Sequence, residues 1–353
     1  MSSRRIVQTF EEWRRSGGPI VLATVYETLG STYSKAGHGI LIAHGDYQGL
    51  VSGGCLEGDL AERARKCAAE RRAMPVTYDL RDEADELWGL GIGCNGLLRV
   101  FLQPMYADQG YEPFAAIARC MLSGRAAAIA TVVESQQPDL VCGATLVRSG
   151  GASETFGVSG SWAARLASLC DGALAAGRAT YAKDASGVAV LSAPIKPIPR
   201  LLVLGAGLDA IPLVGLASDL GWMVTVADHR PAYTQRAGFE RAHDVRTIEP
   251  DALARTLELD AFDAVVVMSH HLATDRTYLA QLADVRARYV GLLGPPARKQ
   301  RLLAELGPRG TALRATLKGP VGLDIGADTP ESIALSIVAE LQATFADPRS
   351  AHQ

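Results

Sequence analysis

One order of residue types is written twice before Pro197, and a duplicated unit constrains a fold more than any single motif can. The first copy reads Ala23-Thr24-Val25-Tyr26-Glu27-Thr28 and later Val51-Ser52-Gly53-Gly54-Cys55. The second reads Ala130-Thr131-Val132-Val133-Glu134-Ser135 and later Val158-Ser159-Gly160-Ser161-Trp162. Each copy closes on an apolar strand, residues 97–102 after Gly96 and residues 188–191 after Gly187. Only the first keeps cysteines at its glycine turns. These are Cys55, which has become Trp162, and Cys94 in Gly91-Ile92-Gly93-Cys94-Asn95-Gly96, where the second copy has only Ala185-Ser186-Gly187. A scaffold that is duplicated while its thiols are not points to one worked site, in the first copy.

Within the first copy, residues 20–25 and 40–43 read as strands, with a Gly45-Asp46 turn and a third strand ending near Ser52. Residues 56–72 carry Leu56, Leu60, Ala64, Cys67 and Ala68 at helical spacing, with Glu57 and Asp59 in the first turn, where the dipole favours acids. The second copy repeats this order, with residues 162–176 as its helix. Pro194, Pro197 and Pro199 then read as a linker. The expected division is 1–110 for the first unit, 111–197 for its degenerate copy and linker, and 198–353 for a second domain.

That second domain opens with a short apolar strand at residues 201–204 and the turn Gly205-Ala206-Gly207-Leu208-Asp209-Ala210. A helix to about Leu220, a strand at 223–227 and a terminal Asp228 follow in the order that a dinucleotide-type βαβ unit requires. Further strands at 264–268 and 289–293 and a last helix from Pro330, capped by Thr329, complete the pattern. The fold class is α/β: a duplicated N-terminal α/β unit followed by a Rossmann-like doubly wound parallel-sheet domain.

The chemistry open to these turns differs. A thiol at a helix start sees the positive end of the dipole, which favours thiolate, while Glu57 and Asp59 beside Cys55 oppose it. Gly53, Gly54 and Gly93 allow backbone N–H groups to converge on an anion, or a bulky ligand to come close. Cys55 and Cys94 together suit a soft metal, a dithiolene or a persulfide; a small buried apolar side chain is the alternative for each. Cys67, Cys120, Cys142 and Cys170 fall in core patterns, and no C-x-x-C pair suggests structural zinc. His38, a candidate ligand, and Ser34 and Lys35, which could meet an anion, lie in the loop after the first strand. In the second domain Gly205 and Gly207 would admit a pyrophosphate and Asp228 a ribose hydroxyl, with His229 and Arg230 leaving room for a 2′-phosphate. Asp209 would repel that phosphate, so NAD(P) binding stays open. Ser269-His270-His271, with Asp275 soon after, ends a strand at the edge where such sheets bind ligands; one histidine could act as an acid, a base or a ligand, or the group is a helix cap. Gly294-Pro295-Pro296-Ala297-Arg298-Lys299 and Gly322-Leu323-Asp324-Ile325-Gly326 are two further turns that could close over a ligand or simply connect elements.

Several classes are excluded. A net charge of −3 carries no nucleic-acid footprint, no apolar run has membrane length, and residues 1–17 lack the apolar core of a signal peptide. Six cysteines without an export signal suit reduced thiols in the cytoplasm.

Taken in order, Ser52-Gly53-Gly54-Cys55-Leu56-Glu57, Gly89-Leu90-Gly91-Ile92-Gly93-Cys94-Asn95-Gly96, the Gly205 turn, Asp228-His229-Arg230, Met268-Ser269-His270, Tyr289-Val290-Gly291-Leu292-Leu293-Gly294 and Gly322-Leu323-Asp324-Ile325-Gly326 resemble the XdhC/CoxI family of xanthine dehydrogenase accessory factors. The resemblance covers nearly the whole chain. It implies a maturation factor, more a chaperone than a catalyst, that binds the molybdenum cofactor (molybdopterin), protects it during sulfuration by a cysteine desulfurase and delivers it to an apo molybdenum hydroxylase. The family's cysteine motifs map onto Cys55 and Cys94, and its Rossmann-like half onto Gly205, Gly207, Asp228 and His270. Leu208 departs from the family pattern, where a polar residue is usual. A homodimer is the expected assembly. The competing readings are an NAD(P)-dependent oxidoreductase using Asp228 and the histidine pair, and a sulfur carrier holding persulfide on Cys55 or Cys94.

Overall fold

Apolar residues at every second position of Ile20–Gly30 point Val21, Ala23 and Val25 into one core and leave Ile20, Leu22 and Thr24 for the opposite face. The computed structural model describes residues 3–81 and 96–346, in two units, Met1–Pro197 and Ile198–Gln353. The first unit contains α1 (Arg4–Arg15), β1 (Ile20–Gly30), β2 (Gly39–Ala43), β3 (Asp46–Gln48), α2 (Glu57–Ala69), β4 (Met74–Asp79) and β5 (Gly96–Met105). It then repeats them as α3 (Phe114–Leu122), β6 (Ala127–Glu134), β7 (Thr145–Ser149), β8 (Ala152–Phe156), α4 (Ser161–Ala176), β9 (Thr180–Lys183) and β10 (Ala189–Ile195). The two antiparallel sheets have the same strand order, β3-β2-β1-β5-β4 and β8-β7-β6-β10-β9.

The duplication extends to irregularities. A register shift falls between Val25 and Glu27 on β1, and another between Val132 and Glu134 on β6. The residues left over at these bulges, Tyr26 and Val133, pack with Phe101, Ala189 and Leu191 in one buried cluster drawn from both copies. In both copies a glycine N–H reaches across to the strand beside the bulge: Gly37 to the Val25 carbonyl and Gly143 to the Val132 carbonyl, each 2.8 Å. The contacts between copies are reciprocal. A Cβ on Gly37 would lie 2.8 Å from the Ala179 methyl of the second copy, and one on Gly143 would lie 3.3 Å from the Ala73 methyl of the first. Residues on a shared surface that meet in this exchanged fashion describe a pseudo-two-fold axis, as in an isologous dimer.

Two sequence expectations are corrected. The third strand ends at Gln48, short of Ser52, because Gly49 takes φ +111 and the chain leaves the sheet. Pro194 is not in a linker but within β10, in register with Ala128.

The second unit contains β11 (Arg200–Leu204), α5 (Ala210–Asp219), β12 (Met223–Asp228), α6 (Pro231–Thr234), β13 (Asp244–Thr247), α7 (Leu253–Thr256), β14 (Ala264–Val267), α8 (Leu272–Leu282), β15 (Tyr289–Leu292), α9 (Pro296–Glu305), α10 (Pro308–Leu313), β16 (Leu317–Lys318) and α11 (Pro330–Ala346). All strand pairs are parallel, in the order β13-β12-β11-β14-β15-β16, the doubly wound arrangement with its switch point between β11 and β14. Val265 and Val267 face α8 and α9 on one side, while Val266 faces α5 and α11 on the other. That two-sided burial is why the strands read as unbroken apolar runs. Thr329 accepts the Ser332 N–H through its side chain and caps α11. Among the described residues no helix is long and apolar enough to cross a membrane.

Candidate functional site

Three glycine-turn sites follow from this framework. At the first, the chain from Val51 to Leu56 wraps around the carboxylate of Glu57. Glu57 Oε1 accepts the N–H groups of Val51 and Ser52 at 2.8 and 2.9 Å; Oε2 accepts those of Gly54 and Leu56 at 3.0 and 3.2 Å and the Ser52 hydroxyl. Burial works against the charge, yet these hydrogen bonds hold the carboxyl below its ordinary value. The converging amides that could have taken an outside anion are filled from within. Glu57 is fully buried and faces the loop rather than a ligand.

Cys55 sits on this loop between Gly54, at φ +112, and the start of α2, and its thiol is exposed. A core role for Cys55 is thereby excluded. Gly53 takes φ +80 beside the Tyr33 ring, and a side chain on Gly54 would meet open space. In the second copy Trp162 instead packs on the core and donates its indole N–H to Asp139 at 3.1 Å. A cavity of about 20 Å3 beside Cys55 is lined by Tyr33, Ser52, Leu80 and Gly96 among others. That is room for one water-sized group. Gly93 and Cys94 lie outside the described residues, but Leu80 and Gly96, which bracket their segment, line this cavity. Burial raises the thiols of Cys67 and Cys170 to about 12, and these side chains, like Cys120, are core; Cys142 is half-buried.

At the second site, Gly205 takes φ +126, and a Cβ there would lie 2.5 Å from the Met268 carbonyl oxygen, so the β11 turn needs glycine for its backbone and its packing, with or without a ligand. The Asp209 carboxylate folds over Gly207, and its Oδ2 lies 2.7 Å from His270 Nε2. A carboxylate and the histidine bonded to it thus stand over the place a pyrophosphate would occupy. Asp228 ends β12 fully buried. Its Oδ2 accepts the Ala206 N–H at 2.8 Å, and Arg230 binds both of its oxygens through Nε and Nη2 while stacking on Tyr233 at 3.6 Å. Burial opposes the Asp228 charge, but these donors hold its carboxyl below the ordinary carboxylate value. The oxygens expected to meet a ribose are engaged by the protein itself.

The third group divides. His271 caps α8 by accepting the Thr274 N–H, whereas His270 is exposed at φ +60. Asp275 is buried, accepting the Ser269 hydroxyl and Arg298 Nε and Nη2, which ties the end of β14 to α9. Arg298 of the Gly294 turn is therefore a brace. The structure brings His270 to Asp209 and the Gly205 turn, but gives Asp275 a partner set with no opening. Sequence reasoning missed Arg230 and Arg298 as the partners of the two buried acids; their spacing from the acids was the only signal. Among the described residues no cluster of three His, Cys, Asp or Glu side chains could hold a metal ion.

Residues 13–79 match the profile of the XdhC and CoxI family, and residues 201–341 match that of the XdhC Rossmann domain. A probable xanthine dehydrogenase subunit from Bacillus subtilis (strain 168) is 32% identical over 322 residues, 91% of this chain and 92% of its own. The chain belongs to the XdhC and CoxI family. A second relative, the molybdenum cofactor insertion chaperone PaoD of Escherichia coli (strain K12), is 22% identical over 96% of this chain and 87% of its own. A crystal structure of a xanthine dehydrogenase from Bacillus halodurans superposes with a TM-score of 0.78 at 29% identity, covering 99% of each chain. The XdhC-type architecture is thus shared along the whole length.

Proposed function

We propose that this protein is an accessory factor that holds the molybdenum cofactor for a molybdenum hydroxylase and helps insert it. The observation that carries the reading is the exposed Cys55 thiol on a glycine loop already braced by Glu57, present in one copy of a duplicated scaffold and replaced by a packed tryptophan in the other. A soft thiol with open backbone beside it fits the donor chemistry of a dithiolene-bound metal. The names of the relatives, one a part of xanthine dehydrogenase and the other an insertion chaperone, support the same reading. The bound cofactor supplies redox chemistry only once it is in the client enzyme. This chain's residues would hold and shield it, with Cys94 as the second thiol, while a cysteine desulfurase sulfurates it in the cytoplasm; a homodimer is the assembly proposed. An oxidoreductase reading is disfavoured by Asp209 and Arg230, which engage both groups that a dinucleotide would need.

The test is co-expression with an apo xanthine dehydrogenase, followed by anaerobic purification. Wild-type protein should carry a pterin and restore client activity. Cys55→Ser should lose at least tenfold of both with an unchanged thermal melt. Full activity in a folded Cys55→Ser variant would overturn the reading.

A further inference from the structure

The two copies also differ in a pair of cavities related by the pseudo-two-fold axis. One, about 460 Å3, opens beside Gly37 and Ala179; its counterpart, about 410 Å3, opens beside Gly143 and Ala73. In the counterpart, Gln103 reaches across the axis and donates its amide to the Gly143 carbonyl at 2.8 Å. The matching residue is Ala193, whose methyl cannot make that bond, so the Gly37 side lacks its equivalent; Gln103 itself lines both cavities. The rims differ in charge as well. Lys35, Arg178 and Lys196 ring the open cavity, none of its described lining residues is acidic, and these three cations make no ion pair among the described residues. The counterpart has Val141 at the position of Lys35, and its charges are balanced: Arg71 pairs with Asp108 and Glu112 with Arg119.

We infer that the cavity between the two copies is a binding site for a planar aromatic monophosphate. Three cations with no ion pair among the described residues suit a dianion, Arg178 through its fork and the lysines as point charges. Leu22, Phe101, Met121, Val133 and Leu191 form an apolar floor, so an inorganic anion would leave most of the space unfilled. Its volume is that of sites for small organic ligands. His38 also lines it; burial lowers its imidazole below the ordinary value, against a hydrogen bond to the Leu50 backbone that favours the charged form. The site shares no lining residue with the cavity at Cys55, so it stands independently of the function proposed above.

Flavin mononucleotide and riboflavin are the matched probes, one with and one without phosphate, titrated by flavin fluorescence against the full-length protein. The mononucleotide should bind saturably and at least about tenfold more tightly than riboflavin, with an affinity that falls as salt rises. Lys35→Ala/Arg178→Ala/Lys196→Ala should weaken it by at least about tenfold. Ala193→Gln, which builds in the side chain that crosses the counterpart cavity, should weaken it as well. The triple variant changes only exposed side chains and keeps the test decisive if Ala193→Gln fails to fold. Absence of saturable mononucleotide binding, equal affinity for riboflavin, or affinity unchanged in the triple variant would each overturn the inference.

Discussion

Glu57 shows how one side chain can be legible as a type and illegible as a direction. Its place in a first helical turn favours an acid, and that much follows from the sequence. Whether the carboxylate turns out to a ligand or back onto the loop depends on Gly53 and Gly54, whose φ values of +80 and +112 curl the N–H groups inwards. The same holds for Asp228 and Asp275, whose arginine partners lie two and 23 residues on, a spacing that fits a pair without fixing which way either side chain turns. Replacing Glu57 by Gln should cost on the order of 2–3 kcal/mol, because buried donors lose a charged acceptor. The folded-state carboxyl titrates below its ordinary 4.5, so the unfolded chain takes up the proton first on acidification. The stabilisation is therefore complete above that value and is lost as pH falls through the depressed folded value. A melting profile against pH that is as steep at its acid end in Glu57→Gln as in wild type would contradict this account.

At the scale of elements, the run from β11 through the Gly205 turn to α5 and β12 was readable in full, since strand, turn and helix have different periods and the glycines mark the break. Its use was not readable. The turn is occupied by Asp209 and His270, which lie far apart in sequence, and Asp228 by Arg230, only two residues on, whose side-chain direction the spacing does not give. The expected consequence is weak NAD(P) binding, with Asp209→Ala gaining about tenfold by removing a like charge from the pyrophosphate position. Calorimetry showing tight binding by wild type that Asp209→Ala leaves unchanged would remove Asp209 from the explanation. Short elements were the least legible: β9 and β13 are four residues each, too brief for alternation to register, and β10 hid its end behind Pro194.

For the molecule as a whole, the repeated words Ala23-Thr24-Val25 and Ala130-Thr131-Val132 betrayed the duplication, but not the exchanged contacts that relate the copies. These rest on Gly37 and Gly143 lying against Ala179 and Ala73. Gly37→Ala should destabilise by roughly 1–3 kcal/mol and Gly143→Ala by less, since the first Cβ would be 2.8 Å from its neighbour and the second 3.3 Å. Gly124→Ala, with φ +70 and open space around it, gives the cost of backbone strain alone. Denaturant melts in which all three variants lose the same stability would show that the copies do not press together there.

An interface of this kind, joined in one polypeptide, also escapes a constraint that binds a true homodimer. In a homodimer every substitution strikes both sides of the axis at once, so a residue useful in one pocket is imposed on its mirror. Here a codon changes one copy only. Lys35 could arise without a lysine at 141, and Ala193 without loss of Gln103, so one flank could be hollowed for a guest while the other went on bolting the halves together.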